Sequence, residues 1–223
     1  KSYEPNYLQE LAHQIETRGI RIGYCGLIVD FNAPISSISD EIDRAKLLLN
    51  AIPYLGVESI RIPGNGVVGK QSTEGTFNAV RNKFQQVLEH AEGSGVTVYL
   101  HNHNHGSVPS TGEQVLRLVN ELNNPGLSYV LDTGQFQGSP GASGEGSPSN
   151  MAQVELYESI DMCAPIASMV RAKFYFAQSG PERWLDYPRI VKSLKKSRFD
   201  GPISIVYEPK GTVPSTDALP LAV

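Results

Sequence analysis

Cysteine is scarce in this chain: Cys25 and Cys163 are the only two among 223 residues. Two thiols cannot build a disulfide framework, so stability has to come from a packed core, and a reducing, cytoplasmic setting is the default expectation. Both cysteines lack activating neighbours in sequence and are expected to be buried apolar residues. Long apolar runs are also missing. No stretch approaches the roughly 18 residues that a membrane-spanning helix requires, so no membrane is expected. Charge of one sign does not accumulate either. A net charge of −4 gives no reason to expect nucleic acid as a partner. There is no signal peptide and no initiator Met; Lys1 runs straight into a helical pattern, so a segment ahead of Lys1 is expected.

What is present is a regular alternation. Tyr3 to Thr17 has helical spacing, with Leu8, Leu11, Ala12 and Ile15 on one side. A strand is expected from Gly19 over residues 20–24. Ser39 to Tyr54 reads as a helix capped by Ser39, with Ile42, Ala45, Leu48, Leu49 and Ile52 as its buried stripe. Strands are then expected near 57–62, 96–101, 127–132, 168–174 and 202–207. Helical patterns from Thr76, Thr111, Gln153 and Asp186 separate them. Short apolar strands alternating with helices indicate a parallel sheet covered by helices. A doubly wound sheet and a (β/α)8 barrel both fit this alternation. A closed barrel needs eight strands, so the chain is two strands short of one.

Residues 1–211 read as a single domain and 212–223 as a C-terminal tail, a loose end or a strap that docks on a partner. Gly138 to Asn150 is rich in Gly, Ser and Pro and reads as a flexible insertion or a lid at the end of its strand.

Titratable residues concentrate at the strand ends. His101, His103 and His105 alternate after the run Val96-Thr-Val-Tyr-Leu100, and Asp132 ends the run Leu127-Ser-Tyr-Val-Leu131. Residues two apart in a strand share a face, so His101 and His103 are expected to point the same way. In a parallel barrel these strand ends meet at one mouth, where such folds carry their chemistry. His105 falls in the following loop. Arg61 ends its strand with Glu58 on the opposite face and is a candidate contact for an anion or hydroxyl. Trp184, the sole tryptophan, is a candidate to stack on a substrate or to pack on a helix. Gly64 to Gly69 formally matches GxGxxG, but the polar residues after it do not open a helix, so a dinucleotide is not expected.

At these strand ends the chain resembles the xylose isomerase-like TIM-barrel superfamily of sugar isomerases and epimerases. The resemblance rests on LGVESIRIPG, GVTVYLHNHNHG, LSYVLDTGQF, MVRAKFYF and FDGPISIVYE, and covers nearly the whole chain. It implies a (β/α)8 barrel lacking its first two strands. It also implies a divalent metal held by Glu, Asp, His and Glu, and proton transfer next to a carbonyl. Carried over, the four ligand positions fall on His101, Asp132, Arg171 and Val206, and only Asp132 keeps its ligand type. Arg has no lone pair to offer a metal and stays protonated. A +2 ion about 4 Å from Arg171 would be repelled by roughly 8 kcal/mol at an effective dielectric of 20. No cofactor is therefore expected at that position.

Two readings of Arg171 stand. Its cation replaces the metal, facing Asp132 and polarising substrate with His101 as the acid–base group, or it forms a structural pair with Asp132. A displaced site for Mn, Mg or Zn, built from His103, Asp132 and Glu208 one step nearer the mouth, is the further alternative, with Lys173 beside it as an obstacle. The functional expectation is an isomerase- or epimerase-like enzyme, or a derived lyase. It would act on a small polar, oxygen-rich substrate through His101, Asp132 and Arg171, with His103, Lys173, Glu208, Arg61 and Trp184 as substrate contacts. The alternative is a catalytically inactive barrel that binds a ligand or serves as a partner subunit. A homo-oligomer is compatible with both, because two absent strands would leave bare sheet edges.

Overall fold

A computed structural model describes residues 3–26, 35–64, 73–104, 107–140, 154–175, 182 and 184–208. Among the described residues six helices and six strands alternate: α1 (Pro5–Glu16), β1 (Cys25–Gly26), α2 (Ile35–Ala51), β2 (Ser59–Pro63), α3 (Glu74–Ala91), β3 (Thr97–His101), α4 (Gly112–Leu122), β4 (Leu127–Asp132), α5 (Val154–Cys163), β5 (Met169–Phe174), α6 (Tyr187–Lys196) and β6 (Ile203–Tyr207). Short 3-10 turns at Ile52–Leu55 and Ala164–Ile166 follow α2 and α5.

All strand pairs are parallel, and the sheet runs β1-β2-β3-β4-β5-β6 in chain order. A doubly wound sheet reverses its strand order partway. This one does not, which decides between the two architectures that the alternation left open. The strands curl into part of a TIM-type barrel with the helices outside.

Side chains alternate across the sheet as the strand period requires. Ile60, Ile62, Val98, Leu100, Tyr129, Leu131 and Val170 face the helices and join one apolar core with Phe84, Val87, Leu118 and Ile160. Fully burying each such side chain contributes about 1.5–3 kcal/mol. The opposite set, Arg61, His101, Asp132, Arg171 and Lys173, faces the barrel interior. The register places Pro63 beside His101, His101 beside Val130, Asp132 beside Arg171 and Lys173 beside Val206.

Three helices begin on caps of the usual type. The hydroxyl of Thr73 accepts from Thr76 N at 3.1 Å, that of Thr111 from Gln114 N at 3.3 Å, and the Asp186 carboxylate from Arg189 N at 3.1 Å.

Two boundaries differ from expectation. The first strand is Cys25–Gly26 rather than 20–24, because the chain leaving α1 is still tied back to it: Ile20 N bonds Ile15 O at 3.3 Å, and Ile20 is exposed. Helix α2 starts at Ile35, so Ser39 lies inside it instead of capping it; serine's capping preference competes with the helix but does not stop it. Among the described residues no helix is long and apolar enough to cross a membrane. His105, Arg183, most of the GxGxxG stretch, residues 141–150 of the Gly/Ser-rich segment and the tail lie outside the described residues.

Candidate functional site

Asp132, at the C-terminal end of β4, is fully buried. Its backbone is clamped by Asn102, the residue after β3. The Asn102 amide donates to Asp132 O at 3.0 Å, while its oxygen accepts from Asp132 N at 2.9 Å and from the Tyr129 hydroxyl at 2.7 Å. The carboxylate itself is surrounded by donors. Oδ1 accepts from Gly134 N at 3.1 Å. Oδ2 lies 3.2 Å from His101 Nε2, 3.1 Å from Arg171 Nε and 3.7 Å from Lys173 Nζ. Burial pushes the Asp132 carboxyl up, but the His101 hydrogen bond and the Lys173 and Arg171 charges outweigh it and hold the carboxyl well below the usual range.

The partners of His101 fix its tautomer. Arg61 Nη1 lies 2.9 Å from Nδ1 and can only donate, so Nδ1 accepts. The Asp132 carboxylate can only accept, so Nε2 carries the proton. The ring is therefore neutral with both nitrogens engaged. Burial is the largest cause of its low pKa, about 3, outweighing the Asp132 carboxylate.

Arg171 turns a second donor, Nη1, to the Tyr24 hydroxyl at 2.6 Å. Lys173 Nζ lies 2.8 Å from Glu208 Oε2, so its ammonium bridges the buried Asp132 and the partly exposed Glu208. Gly134 leaves room for this: a Cβ there would sit 2.6 Å from Lys173 Cγ. His103 sits with its ring 6.1 Å from that of His101, nearly edge-to-face. Its Nδ1 lies 3.1 Å from the Asn104 carbonyl, which can only accept, so in the neutral ring Nδ1 is protonated and Nε2 carries the lone pair. Burial lowers the His103 pKa and favours that neutral form.

The structure thus gathers His101, Asp132, Arg171, Lys173 and Glu208, with Arg61 and His103 at the flanks. Trp184 packs on the apolar core, its ring 6.1 Å from that of Tyr175. Cys163 is buried, its thiol pushed up to about 12 chiefly by burial, and Cys25 is half-buried; neither shows a reactive setting. Sequence reasoning missed Tyr24 and Asn102. Nothing local marks Tyr24. The alternation in HNHNH does mark Asn102 as facing away from the histidines, toward Asp132's peptide.

These groups do not fit a divalent cation. Three of the atoms nearest Asp132 Oδ2 carry N–H bonds aimed at it or positive charge, and a metal ligand must present a lone pair. Among the described residues no group of three His, Cys, Asp or Glu side chains is arranged to hold a metal. The displaced set of His103, Asp132 and Glu208 has Lys173 between its two carboxylates.

A family model for the xylose isomerase-like TIM barrel matches residues 1–220, and the chain belongs to that family. Solved structures of the same fold include 3-keto-D-glucoside 4-epimerase from E. coli, 16% identical with a TM-score of 0.72 over 97% of this chain and 84% of that one. D-psicose 3-epimerase from Clostridium cellulolyticum H10, with D-tagatose, is 14% identical with a TM-score of 0.70 over 98% and 75%. The IOLI protein with a bound zinc atom is 19% identical with a TM-score of 0.67 over 89% and 71%. No curated protein sequence matches the chain.

Proposed function

We propose that this protein is an isomerase- or epimerase-like enzyme, or a lyase derived from one. It moves a proton next to a carbonyl of a small, oxygen-rich substrate, using cationic side chains instead of a divalent metal. The observation that carries the proposal is the Asp132 cluster: a buried carboxylate at the barrel mouth that orients Arg171 and Lys173. Preorganised cations at that position can stabilise the negative charge that develops on a carbonyl oxygen when the neighbouring proton leaves. His101, with both nitrogens engaged, positions Arg61 and Asp132. The proton passes instead to His103, whose Nε2 bears the lone pair in the neutral ring, with Glu208 at the exposed end of the Lys173 pair as the second group. A family resemblance to sugar epimerases supports the reaction class.

A second reading, a barrel that binds such a ligand without turning it over, is favoured by the engagement of both His101 nitrogens and both Asp132 oxygens. Solvent exchange separates the two. The protein is incubated in D2O with a panel of ketoses, aldoses and sugar acids, and NMR follows the protons next to the carbonyl. The enzyme reading expects deuterium to enter at least one substrate, with and without chelator, and not with Arg171→Met. Exchange in none of them leaves the binding reading, and exchange abolished by chelator restores a metal.

A further inference from the structure

Resting on the reading that the mouth binds a small oxygen-rich substrate, we propose that Arg61 and Arg171 form an oxyanion site. It would take a carboxylate or phosphate carried on a polyol. Among the described residues three cations, Arg61, Arg171 and Lys173, gather with two carboxylates, Asp132 and Glu208, while a third carboxylate, Glu182 beyond β5, accepts from the Tyr175 and Trp184 backbone N–H groups. His101 adds no charge, because its two partners fix the neutral tautomer. Lys173 contacts both carboxylates and Arg171 contacts Asp132. Among the described residues Arg61 has no salt-bridge partner. Among those residues its one hydrogen bond runs from Nη1 to His101, and its Nε is buried with no partner.

A guanidinium taken largely out of water without a carboxylate in contact is costly, and a second guanidinium nearby adds to that cost. Burial, followed by the Arg171 charge, works against the protonated form of Arg61, and Tyr24 and the Asp132 carboxylate offset this only in part. A bound oxyanion offsets both penalties and offers acceptors to the N–H groups that the protein leaves unpaired.

The two arginines are held for this on one aromatic ring. Tyr24 takes the Arg171 Nη1 donor on its hydroxyl, and Arg61 Cζ lies 5.8 Å from its ring centroid. Gly26, paired with Arg61 across β1 and β2, leaves space for the guanidinium: a Cβ there would lie 2.9 Å from Nη2. A substrate anchored here by its oxyanion would extend its hydroxyls toward Lys173, Glu208 and His103.

The test is calorimetric titration of the wild-type protein at low salt with D-gluconate, D-glucitol 6-phosphate and neutral D-glucitol, which share a polyol chain. At least one anion is expected to bind about tenfold or more tightly than glucitol, an advantage that shrinks with added salt. Arg61→Met should erase the advantage and Arg61→Lys should keep part of it. Gly26→Ala, which crowds the guanidinium without removing it, should weaken the anion selectively. Anions binding no better than glucitol would overturn the proposal, as would an advantage that survives in folded Arg61→Met protein. If at least one anion binds as expected but no substrate exchanges deuterium, the oxyanion site stands and the enzyme reading alone fails. Exchange on neutral sugars without any anion preference does the reverse.

Discussion

Between Arg61 and Asp132, the ring of His101 has no nitrogen left to exchange a proton with a substrate. That arrangement has a pH signature. The unfolded chain protonates this histidine near pH 6.5, whereas the folded one resists until about pH 3. In that window the unfolded state binds the extra proton, so stability falls as pH falls, by at most about 1.4 kcal/mol per pH unit. Asp132 acts in the same direction lower down: its depressed carboxyl stabilises the fold above about pH 4 and that contribution is lost on further acidification. Urea unfolding across pH 4–7 should show the slope. His101→Gln, which keeps a donor toward Asp132 and an acceptor toward Arg61, should flatten it. A His101 signal titrating near pH 6.5 in NMR would contradict the tautomer argument. For Arg171, the Met variant keeps bulk and removes charge. It breaks a pair in which Asp132 is fully buried, and stability should fall by about 3 kcal/mol. Deuterium exchange or ligand binding should fall much further, and Arg171→Lys should rescue only part, since an ammonium cannot reach both Asp132 and the Tyr24 hydroxyl as the planar fork does. Unchanged stability and binding in Arg171→Met would reduce Arg171 to a bystander.

At the level of elements, the site depends on how β3 and β4 are locked together. The sheet ladder pairs them only as far as His101 and Val130. Beyond that point Asn102 takes over, satisfying both polar groups of the Asp132 backbone and the Tyr129 hydroxyl in a region with no water access. Asn102→Leu is close in volume but removes every one of those bonds; it strands Asp132 N and takes the Asn102 acceptor from the buried Tyr129 hydroxyl, while Asp132 O keeps only a long bond from Gln135 N at 3.4 Å. A loss of about 3 kcal/mol is expected, because each unsatisfied buried group costs about 1–3 kcal/mol and some relaxation is available. Thermal or urea denaturation measures it, and a loss under about 1 kcal/mol would mean that the clamp is not what holds Asp132 in place. Lys173 is positioned by similar means: its backbone N donates to the Thr133 hydroxyl at 2.9 Å, and its carbonyl accepts from Tyr187, linking β4, β5 and α6 at the mouth.

Over the whole molecule, stability is unevenly distributed. β2, β3, β4 and β5 each have a strand on both sides and a helix layer behind them. β1 contributes two residues, and β6 leaves Ile203 and Ile205 exposed. Segments with few buried apolar contacts open at lower free energy. Native-state hydrogen exchange should therefore protect the β3 and β4 amides most and those of β1 and β6 least. Equal protection across all six strands would show that something else covers the ends of the sheet. Apart from Glu208, which follows β6, the charged groups of the candidate site sit toward the well-protected middle, on β2 to β5, which suits a site whose donors must hold fixed positions.

Local sequence determined the alternation of helices and strands, the phase of the strands after the first and the residues at their ends. Those follow from side-chain periodicity, which acts over a few residues: Leu100 and Leu131 toward the helices, His101 and Asp132 toward the interior. That Arg171 stands opposite Asp132 was implied by the family resemblance of LDTGQF and VRAKFYF, not by periodicity. Tertiary structure alone decided the rest. Chain-order pairing of the strands depends on how the whole sheet closes, not on any single segment. The first strand's true position depends on which residues reach the β2 ladder, and Cys25 and Gly26 do. The role of His101 was not legible either. A histidine's chemistry depends on what faces each nitrogen, and Arg61 lies 40 residues away in sequence while Asp132 lies 31 away. Tyr24, 147 residues from Arg171, shows the same limit: such contacts exist only once the strands stand side by side.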